Sequence, residues 1–486
     1  MTKPAPQQAV TTKRIVVIGG GIAGLAATFH FKQEASRRKL GLDVVLLEGS
    51  SRFGGPLHTI RKDGFVIETG ADSFITDKPW GLILAKRLGL ESALIGTQSQ
   101  YRKTYVVSHG RLLPIPEGFA LLAPTYLGPV LSSPIFSLRG KLRMALEPLI
   151  PRRRSTNDES LGSFVTRRLG REVLERVAQP LAAGIYTADP RLLSMRATLP
   201  RFVDLEQRFG SVTVGLRRAA SSSSNGRAES GARWSLFASF AAGIETLVEK
   251  LLDNIGGKAR SQASVERLEQ PGRGRWTAVL AGGETITADG ILLATPARTS
   301  AKLLLSHHPQ LADRLGQIQY SSAATVNLAY RTEDFPRLPD GFGFVVPLIE
   351  RRRIIAGSLS SLKFTGRSLP GTVLMRAFIG GSLQAELMAL GDAELAACAR
   401  DEFRSLLGVA SEPIMTYVER WPNSMPQYRV GHLDLIDEIE AMGRRLESIE
   451  LAGAAFRGVG IPDCIRSGEL AADRMIDKLL RGGTRN

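Results

Sequence analysis

Residues 15–24, with the sequence IVVIGGGIAG, constrain the fold of this chain more than any other segment. An apolar, β-branched run enters a glycine-rich turn, and an apolar helical pattern follows. This order predicts a strand, a tight turn and a helix. Gly19 permits the turn, Gly21 lets a pyrophosphate approach the backbone, and Gly24 lets the helix pack closely on the strand. The free amides at the helix N-terminus then face the phosphates.

A second strand-like run, DVVLLE, ends at Glu48, 24 residues beyond Gly24. In dinucleotide-binding folds an acid at about this distance accepts a hydrogen bond from a ribose hydroxyl. A glycine turn with an unrelated surface glutamate is the weaker interpretation, because it explains only one element at a time. The two elements together predict a Rossmann-like domain that binds a dinucleotide.

The size and charge of the chain limit the rest of the fold. Its 486 residues, 43% of them hydrophobic, can bury a large core, and we expect two or three lobes around one crevice. The formal net charge of +16 favours an anionic partner without choosing among nucleic acid, acidic lipid and acidic substrate. The chain has two cysteines, no apolar leader and no run long enough to span a bilayer. We therefore expect a cytoplasmic protein with at most a peripheral membrane contact.

The segment SSRFGGPLHT after Glu48 places Arg52 and the pair Gly54-Gly55 near the same crevice. An acid, a short spacer and R-x-G-G resemble the FAD-dependent amine-oxidase and porphyrinogen-oxidase superfamily. Pro56 departs from that pattern, because the superfamily usually has a basic residue there. The resemblance returns in residues 451–472, where three more glycines precede a final helical pattern.

The resemblance implies one noncovalent FAD per chain, held mainly by backbone groups. It places the adenine beside a strand residue near 265, closes the nucleotide pocket near 294, and brings the final glycine segment to the flavin ring and ribityl chain. The residues it assigns to FAD binding are Gly19, Gly21, Ile22, Ala23, Gly24, Glu48, Gly49, Arg52, Gly54, Gly55, Val265, Ala294, Trp421, Gly453, Gly460, Ile461 and Pro462.

The segment VERWPNSMPQYRVGH, residues 418–432, indicates the branch of the superfamily. It resembles the W-x(4)-P-Q-Y-x-x-G-H segment of the oxygen-dependent protoporphyrinogen and coproporphyrinogen III oxidases, and ETGADSF at 68–74 and GRLLPIPEG at 110–118 agree. From residue 14 to 480 the chain is identified as a member of that family. The implied activity is a six-electron, oxygen-consuming oxidation in heme biosynthesis, of coproporphyrinogen III to coproporphyrin III or of protoporphyrinogen IX to protoporphyrin IX. The flavin accepts the hydride, so we assign no catalytic side chain.

The choice between the two porphyrinogens stays open. In plant and animal members an arginine just before an aromatic pairs a substrate propionate, and here Thr104 stands at that position, before Tyr105. This departure resembles the bacterial coproporphyrinogen III oxidases more than the plant enzymes. A substrate with four propionates would use other cations. We predict a substrate-binding set of Lys78, Arg102, Lys103 and Thr104.

The resemblance predicts an α/β fold, α+β overall, like those of p-hydroxybenzoate hydroxylase and the amine oxidases. The FAD-binding domain is predicted to comprise residues 13–100, 236–305 and 446–486. Residues 118–200 form a helical insert. The substrate-binding domain, an antiparallel sheet covered by helices, takes residues 101–117, 201–235 and 306–445.

The start of the insert, residues 118–154, has apolar faces and basic ends. It either lies on an acidic membrane surface at the inner face of the cell membrane or packs as ordinary core helices. In the membrane interpretation the residues that enter the interface are Phe119, Leu121, Leu122, Tyr126 and Leu127. We expect dioxygen as the second substrate and no nucleic acid as a partner. Whether a downstream chelatase or a second copy of the chain binds stays open.

Two other classes of function are weaker. An FAD-dependent amine oxidase or a carotenoid desaturase-like enzyme is second, because amine oxidases begin the last glycine segment with A-G-E and face the flavin with an aromatic pair. Ala454 replaces that acid, and no such pair is evident. A flavin-binding regulatory module is third. No hydrolase or metal-ligand motif appears, so we predict no metal site.

Overall fold

The computed structural model describes residues 12–223, 236–272 and 274–482. Parts of two predicted domains, residues 224–235 and 483–486, therefore lie outside the described residues. At the centre is a five-stranded parallel sheet, with the first strand of the chain in the middle. Its order is Ala259–Arg260, Leu42–Leu47, Lys13–Ile18, Gly290–Leu293 and Ile449–Leu451. Ile15, Val16 and Val17 are fully buried because both faces of this sheet are covered.

One face of the parallel sheet is covered by four helices, which are Ile22–Arg38, Trp80–Arg87, Thr246–Ile255 and Ile461–Gly482. The first and last of these cross where Gly468 meets Ala23. A Cβ atom at Gly468 would lie 2.1 Å from the Ala23 carbonyl oxygen. Only glycine therefore allows the two helices to approach this closely.

The opposite face of the parallel sheet packs against a small antiparallel sheet and three helices around buried Trp276. The strands are Val265–Gly272, Arg275–Leu280 and Thr285–Ala288. The helices are Ala297–Leu304, Pro309–Gly316 and His432–Arg444. Both faces together give the α/β FAD-binding architecture that the glycine turn predicts.

A second, seven-stranded sheet is antiparallel except for one pair, Gly341–Val345 with Lys103–Ser108. Helix Asp392–Leu407 covers one face through Leu395, Cys398 and Phe403. The strand order is Met415–Pro426, Tyr320–Arg331, Thr372–Gly380, Ala356–Ser358, Gly341–Val345, Lys103–Ser108 and Arg111–Pro114.

Two small sheets connect the large ones. One is the hairpin Thr59–Lys62 with Phe65–Glu68, and the other orders Phe74–Ile75, Phe237–Phe240 and Leu94–Gly96. Short 3-10 helices and one α-turn complete the connections: Glu91–Ala93, Ser99–Tyr101, Gly256–Lys258, Thr332–Asp334, Leu348–Glu350, Ala385–Ala389 and Ser360–Lys363.

The helical insert has its own core, which joins the face of the seven-stranded sheet opposite helix Asp392–Leu407 at Val106, Val345 and Ala356. Its elements are the pair Phe119–Ala120 and Ala123–Pro124, the 3-10 helix Glu147–Leu149, the π-helical turn Leu174–Ala178, and the α-helices Gly128–Ser132, Leu138–Ala145, Leu161–Leu169, Arg171–Val173, Gln179–Tyr186, Met195–Thr198, Pro200–Phe209 and Val212–Ser223. In the described part of the chain, no helix is both long and apolar enough to cross a bilayer.

Two sequence-based expectations about the insert differ from the structure. The insert core extends past the predicted boundary at residue 200, because Phe202, Leu205 and Val212 point into it. The prediction that Leu122 enters a membrane interface is wrong, because its side chain is 1% exposed and packs in the same core. Phe119 is half-buried and stacks on Phe136.

Candidate flavin site

The glycine turn after the first strand contains glycines of two kinds. Gly19 has φ +107°, and a Cβ there would lie 2.6 Å from the Ala294 carbonyl oxygen. A Cβ at Gly24 would lie 1.9 Å from the Gly19 carbonyl oxygen. Gly21 is different, since its Cβ would meet no atom within 4 Å. The protein itself requires Gly19 and Gly24, whereas Gly21 leaves open space for a ligand.

Helix Ile22–Arg38 begins at this open space. Its N-cap is Gly21, no side chain caps it, and its first turn contains no acid. The first amides of a helix have no partner within the helix, and the helix dipole adds partial positive charge there. Ile22 and Ala23 therefore present free N–H groups that fit a phosphate.

Glu48 lies at the end of the second strand, beside the turn. Its carboxylate accepts hydrogen bonds from the amides of Gly20 at 2.7 Å and Ser50 at 2.8 Å. A carboxylate has about four acceptor positions, so it can still accept from a ribose hydroxyl. Gly49 follows and lies 3.4 Å, measured from a Cβ built on it, from Ser264, next to Val265. These residues share one edge of the sheet.

The Arg-Gly-Gly segment packs directly on the turn. The Gly54 amide donates to the Gly20 carbonyl at 2.8 Å, and a Cβ at Gly55 would lie 3.8 Å from the Gly21 Cα. The guanidinium of Arg52 stands 5.7 Å from the centre of the Trp421 ring. The structure thus brings Arg52, Gly54, Gly55 and Trp421 together near the first turn.

Trp421 is fixed by a loop that the sequence did not assign to the site. Its indole Nε1 donates to the Thr69 carbonyl at 2.9 Å. A Cβ at Gly70 would lie 3.2 Å from the Trp421 ring and 2.1 Å from the Pro56 carbonyl. Pro56, where the family pattern has a basic residue, therefore packs against this loop. The E-x-G-x-D pattern at residues 68–72 was the available signal.

A buried charge cluster holds the loop from behind. Asp72 pairs with Lys363 at 2.9 Å and with Arg376 at 3.0 Å. Arg376 also donates to the carbonyls of Glu68 at 3.1 Å and Gly70 at 2.7 Å. Burial raises the pKa of Glu68 to about 7, although Arg367 lies 3.3 Å away and opposes that shift. The three consecutive carbonyls at residues 68–70 therefore each accept a hydrogen bond, from Arg376 or from Trp421.

The final glycine segment, residues 453–460, approaches from the edge strand Ile449–Leu451. The Ala452 amide donates to the Leu293 carbonyl at 3.0 Å, and the Gly453 amide donates to Ser467 Oγ at 3.0 Å. Gly453 is buried with φ +125°, yet a Cβ there would meet no atom within 4 Å. A buried glycine that faces free space indicates room for a bound group.

The last helix begins at Ile461, immediately after Gly460, with Pro462 in its first turn. The carboxylate of Asp463 lies against Gly460, 3.2 Å from a Cβ built there. Lys78 pairs with that carboxylate at 2.7 Å. The structure therefore places Lys78 at the start of the last helix.

The other predicted substrate residues lie elsewhere and do not form one cluster with Lys78. Side chains alternate along strand Lys103–Ser108. Lys103 pairs with Asp340 at 2.6 Å, and the Tyr105 hydroxyl bonds the same carboxylate. Thr104 therefore points to the other face, the one the insert covers through Val106. Arg102 is exposed at the start of this strand.

Comparisons with known proteins agree with this geometry. A family model described as flavin containing amine oxidoreductase matches residues 22–476. The chain belongs to the flavin-containing amine oxidoreductase family. A flavin bound through a dinucleotide motif is FAD, so the Gly19–Gly24 turn and Glu48 identify the cofactor of this family member.

Relatives within the flavin-containing amine oxidoreductase family cover nearly the whole chain. The coproporphyrinogen III oxidase of Bacillus subtilis (strain 168) is 34% identical over 94% of this chain and 97% of its own length. The protoporphyrinogen oxidase of Bos taurus is 32% identical over 96% and 98%. A structure from Exiguobacterium sp., provisionally named a protoporphyrinogen oxidase, has a TM-score of 0.84 and 29% identity, over 97% of this chain and 100% of that one.

Proposed function

We propose that this chain oxidises a porphyrinogen with FAD as cofactor and dioxygen as final electron acceptor, in heme biosynthesis, and that coproporphyrinogen III is its preferred substrate. The full-length similarity to enzymes named for these two substrates carries the proposal. When bound, FAD supplies the hydride acceptor. The side chains of this protein then need to bind and orient the substrate and exclude water.

The substrate position that we propose lies where the insert meets the seven-stranded sheet, on the face opposite helix Asp392–Leu407. Helix Gln179–Tyr186 packs directly on this face, since a Cβ at Gly184 would lie 3.7 Å from Val345 and 3.8 Å from Ala356, so we place the substrate beside this contact and not within it. The residues around it are apolar, which suits a macrocycle of four pyrroles. Thr104 faces the same side and contributes no cation there.

The cofactor assignment has a direct test. We expect purified protein to be yellow and to release FAD into the supernatant after heat or acid treatment, because both cysteines, Cys398 and Cys464, are buried and neither stands where the covalent amine oxidases attach their flavin. Colour that remains with the precipitated protein would instead show covalent attachment.

The substrate preference follows from charge. Coproporphyrinogen III carries four propionates and protoporphyrinogen IX carries two, and the net charge of +16 favours the more anionic molecule. We expect kcat/KM to be higher for the four-propionate substrate by a modest factor, because each exposed ion pair contributes about 0.2 to 1 kcal/mol. A clear preference for protoporphyrinogen IX would reverse the ranking.

Thr104→Arg tests the position, with Thr104→Val as the matched control. The arginine should shift the kcat/KM ratio toward protoporphyrinogen IX, whereas valine keeps the shape of threonine without a charge and should leave the ratio near its original value. Peroxide should be counted with both substrates under oxygen. Production of no peroxide with either substrate would leave the flavin-binding regulatory function instead.

We further propose a cytoplasmic location with a peripheral membrane contact through the insert. Leu138 is 84% exposed and Leu149 is 78% exposed; Arg139 and Lys141 follow Leu138 in the chain, and three arginines at 152–154 follow Leu149. These leucines, rather than Leu122, would enter the interface. The protein should float with anionic vesicles and be released by salt and detergent together.

A matched pair of variants distinguishes a membrane contact at the insert from nonspecific adsorption of the protein to vesicles. Leu138→Ser should reduce flotation, whereas Leu305→Ser, which changes a leucine that is 60% exposed beside helix Ala297–Leu304, should not. Equal effects of the two variants, or no flotation of the unmodified protein at low salt, would remove the membrane proposal.

Two partners and the domain division are also proposed on the resemblance. A chelatase would consume the porphyrin product, and a second copy of the chain would form a homodimer. The FAD-binding unit would comprise residues 13–100, 236–305 and 446–486. Sedimentation at two protein concentrations tests the homodimer, and pull-down with a purified chelatase tests the other partner.

A further inference from the structure

The P-Q-Y-x-x-G-H segment, residues 426–432, has no role in the function described so far. We propose that Tyr428 and His432 are positioning residues that set the final glycine segment, residues 453–460, against FAD. We also propose that they connect this segment to the helical insert, so that the insert acts on the flavin environment. The proposal depends on FAD binding and not on the choice of substrate.

The two rings hold two carbonyls of the glycine segment. The Tyr428 hydroxyl donates to the Ala454 carbonyl at 2.6 Å, and His432 Nε2 lies 2.8 Å from the Phe456 carbonyl. Because a carbonyl only accepts, Nε2 must carry the hydrogen. The rings stack on each other, with centres 4.0 Å apart and planes at 15°. Each ring therefore fixes the other as well as its own carbonyl.

Burial favours the neutral form of both groups, and each of these forms can donate to its carbonyl. Tyr428 is 2% exposed, and burial raises the pKa of its hydroxyl well above the ordinary value. Burial lowers the pKa of His432. The hydrogen bond to the Phe456 carbonyl raises it, but this effect is weaker than that of burial. A neutral tyrosine and a neutral histidine are both donors here, so the hydrogen bonds to the Ala454 and Phe456 carbonyls are both present at neutral pH.

The backbone of the same segment is tied to the insert. The Ser194 amide donates to the Tyr428 carbonyl at 2.7 Å, and the Val430 amide donates to the Leu192 carbonyl at 2.9 Å. The carboxylate of Asp158 accepts from the Gly431 amide at 3.1 Å and from the Ser194 hydroxyl at 2.6 Å. Side chains of residues 426–432 thus hold the flavin segment, and their backbone holds the insert.

Gln427 adds a third connection, to the substrate-binding sheet. Its amide nitrogen donates to Ser321 Oγ at 2.9 Å and to the Tyr186 carbonyl at 3.1 Å, and its oxygen accepts from Ser382 at 3.0 Å. Residues 426–432 consequently touch all three parts of the molecule. A shift of the insert relative to the sheet would be transmitted to the Ala454 and Phe456 carbonyls.

Tyr428→Phe removes one hydrogen bond and keeps the ring stack. On the full-length holoenzyme without porphyrinogen, we expect the FAD dissociation constant to rise about two- to tenfold, the range for one neutral hydrogen bond. We also expect a shift in the visible absorption bands of the bound flavin and in its midpoint potential. His432→Gln retains a donor and should change these readouts less.

Tyr330→Phe is the matched control, because Tyr330 is a fully buried tyrosine in the core between the seven-stranded sheet and helix Asp392–Leu407. It should leave the FAD dissociation constant and the spectrum unchanged. A Tyr428→Phe variant that melts at a lower temperature but binds FAD with the original affinity, spectrum and potential would overturn the positioning role.

Asp158→Asn tests the connection to the insert, since Asp158 bonds residues 426–432 and not the glycine segment. We expect a smaller shift of the flavin spectrum in the same direction as for Tyr428→Phe. An unchanged spectrum with Asp158→Asn would overturn the connection to the insert. Because each readout is taken without porphyrinogen, a wrong substrate assignment would leave these results in place.

Discussion

The two glycine-rich segments that we propose hold FAD are themselves held in different ways. The turn at residues 19–24 is held by groups close to it in the chain, because Glu48 bonds Gly20 and Gly54 bonds the Gly20 carbonyl. The segment at residues 453–460 is held by Tyr428, by His432 and by the neighbouring strand. The hydrogen bonds to Gly20 are thus local, although Gly19 also packs on distant Ala294, whereas the second segment depends on how the whole molecule packs.

The largest expected effect is at Gly24, where the protein itself fills the space. A Cβ there would lie 1.9 Å from a backbone carbonyl, which cannot move without distorting the turn. We expect Gly24→Ala to lower the free energy of unfolding by at least about 3 kcal/mol or to prevent folding. Chemical denaturation measures it. Normal stability would show that the turn is not held as described.

Gly453→Ala should have the next largest effect, because it combines strain with ligand loss. Its φ of +125° is strained for any residue with a Cβ, and we expect a loss of about 1 to 3 kcal/mol in unfolding free energy. The added methyl would also enter the space that FAD should fill. Denaturation without FAD, then FAD titration, separates the two. Unchanged affinity would place the flavin away from this segment.

Gly21→Ala, at the ligand-facing side of the first segment, should affect FAD and leave folding intact, whereas Glu48→Ala also removes the acceptor of the Gly20 and Ser50 amides and should lower stability as well. Gly21→Ala adds a methyl into open space, at a backbone conformation with φ −69° that alanine adopts freely. Glu48→Ala removes the proposed acceptor for ribose. Each should weaken FAD retention by about 1 to 3 kcal/mol. Equilibrium dialysis measures FAD retention. For Gly21→Ala, a lower melting temperature of the FAD-free protein would contradict this assignment.

The smallest expected effect is a pH dependence confined to the second segment. The pKa of His432 is lowered from its ordinary value near 6.5, so its contribution to stability is present above that pH and is lost as the pH falls through the folded-state pKa. His432→Gln should reduce the fall in melting temperature on acidification. His58 and His308, whose pKa values are also lowered, and Glu68, whose pKa is raised to about 7, contribute to the slope that remains. An unchanged slope would separate His432 from this effect.

The same contrast explains how much could be predicted from the sequence. Gly19, Gly21, Gly24 and Glu48 were predictable because strand, turn and helix follow one another, and local geometry sets their roles. The family resemblance located the second segment but could not say what holds it. Tyr428 and His432 belong to a recognisable pattern, yet their hydrogen-bond partners appear only in the folded chain.

Long-range charge pairs were beyond prediction for a similar reason. Asp72 meets Lys363, and Lys78 meets Asp463, across hundreds of residues with no periodic pattern to link them. Lys78 was predicted to bind substrate from its charge alone, but its position beside Asp463 depends on the packing of the last helix. Thr104 and Lys103 show the opposite case, since strand alternation alone separates their faces.

The close crossing of the first and last helices at Gly468 and Ala23 has a consequence for the order in which the protein is made. A ribosome makes the glycine turn at residues 19–24 long before residues 449–482, which supply the edge strand and the covering helix. Until residues 449–482 are made, the apolar face of helix Ile22–Arg38, which includes Phe29, lacks one of the helices that bury it. The nascent chain therefore keeps this helix face partly uncovered, and open to chaperones and to aggregation, until residues 449–482 have been made.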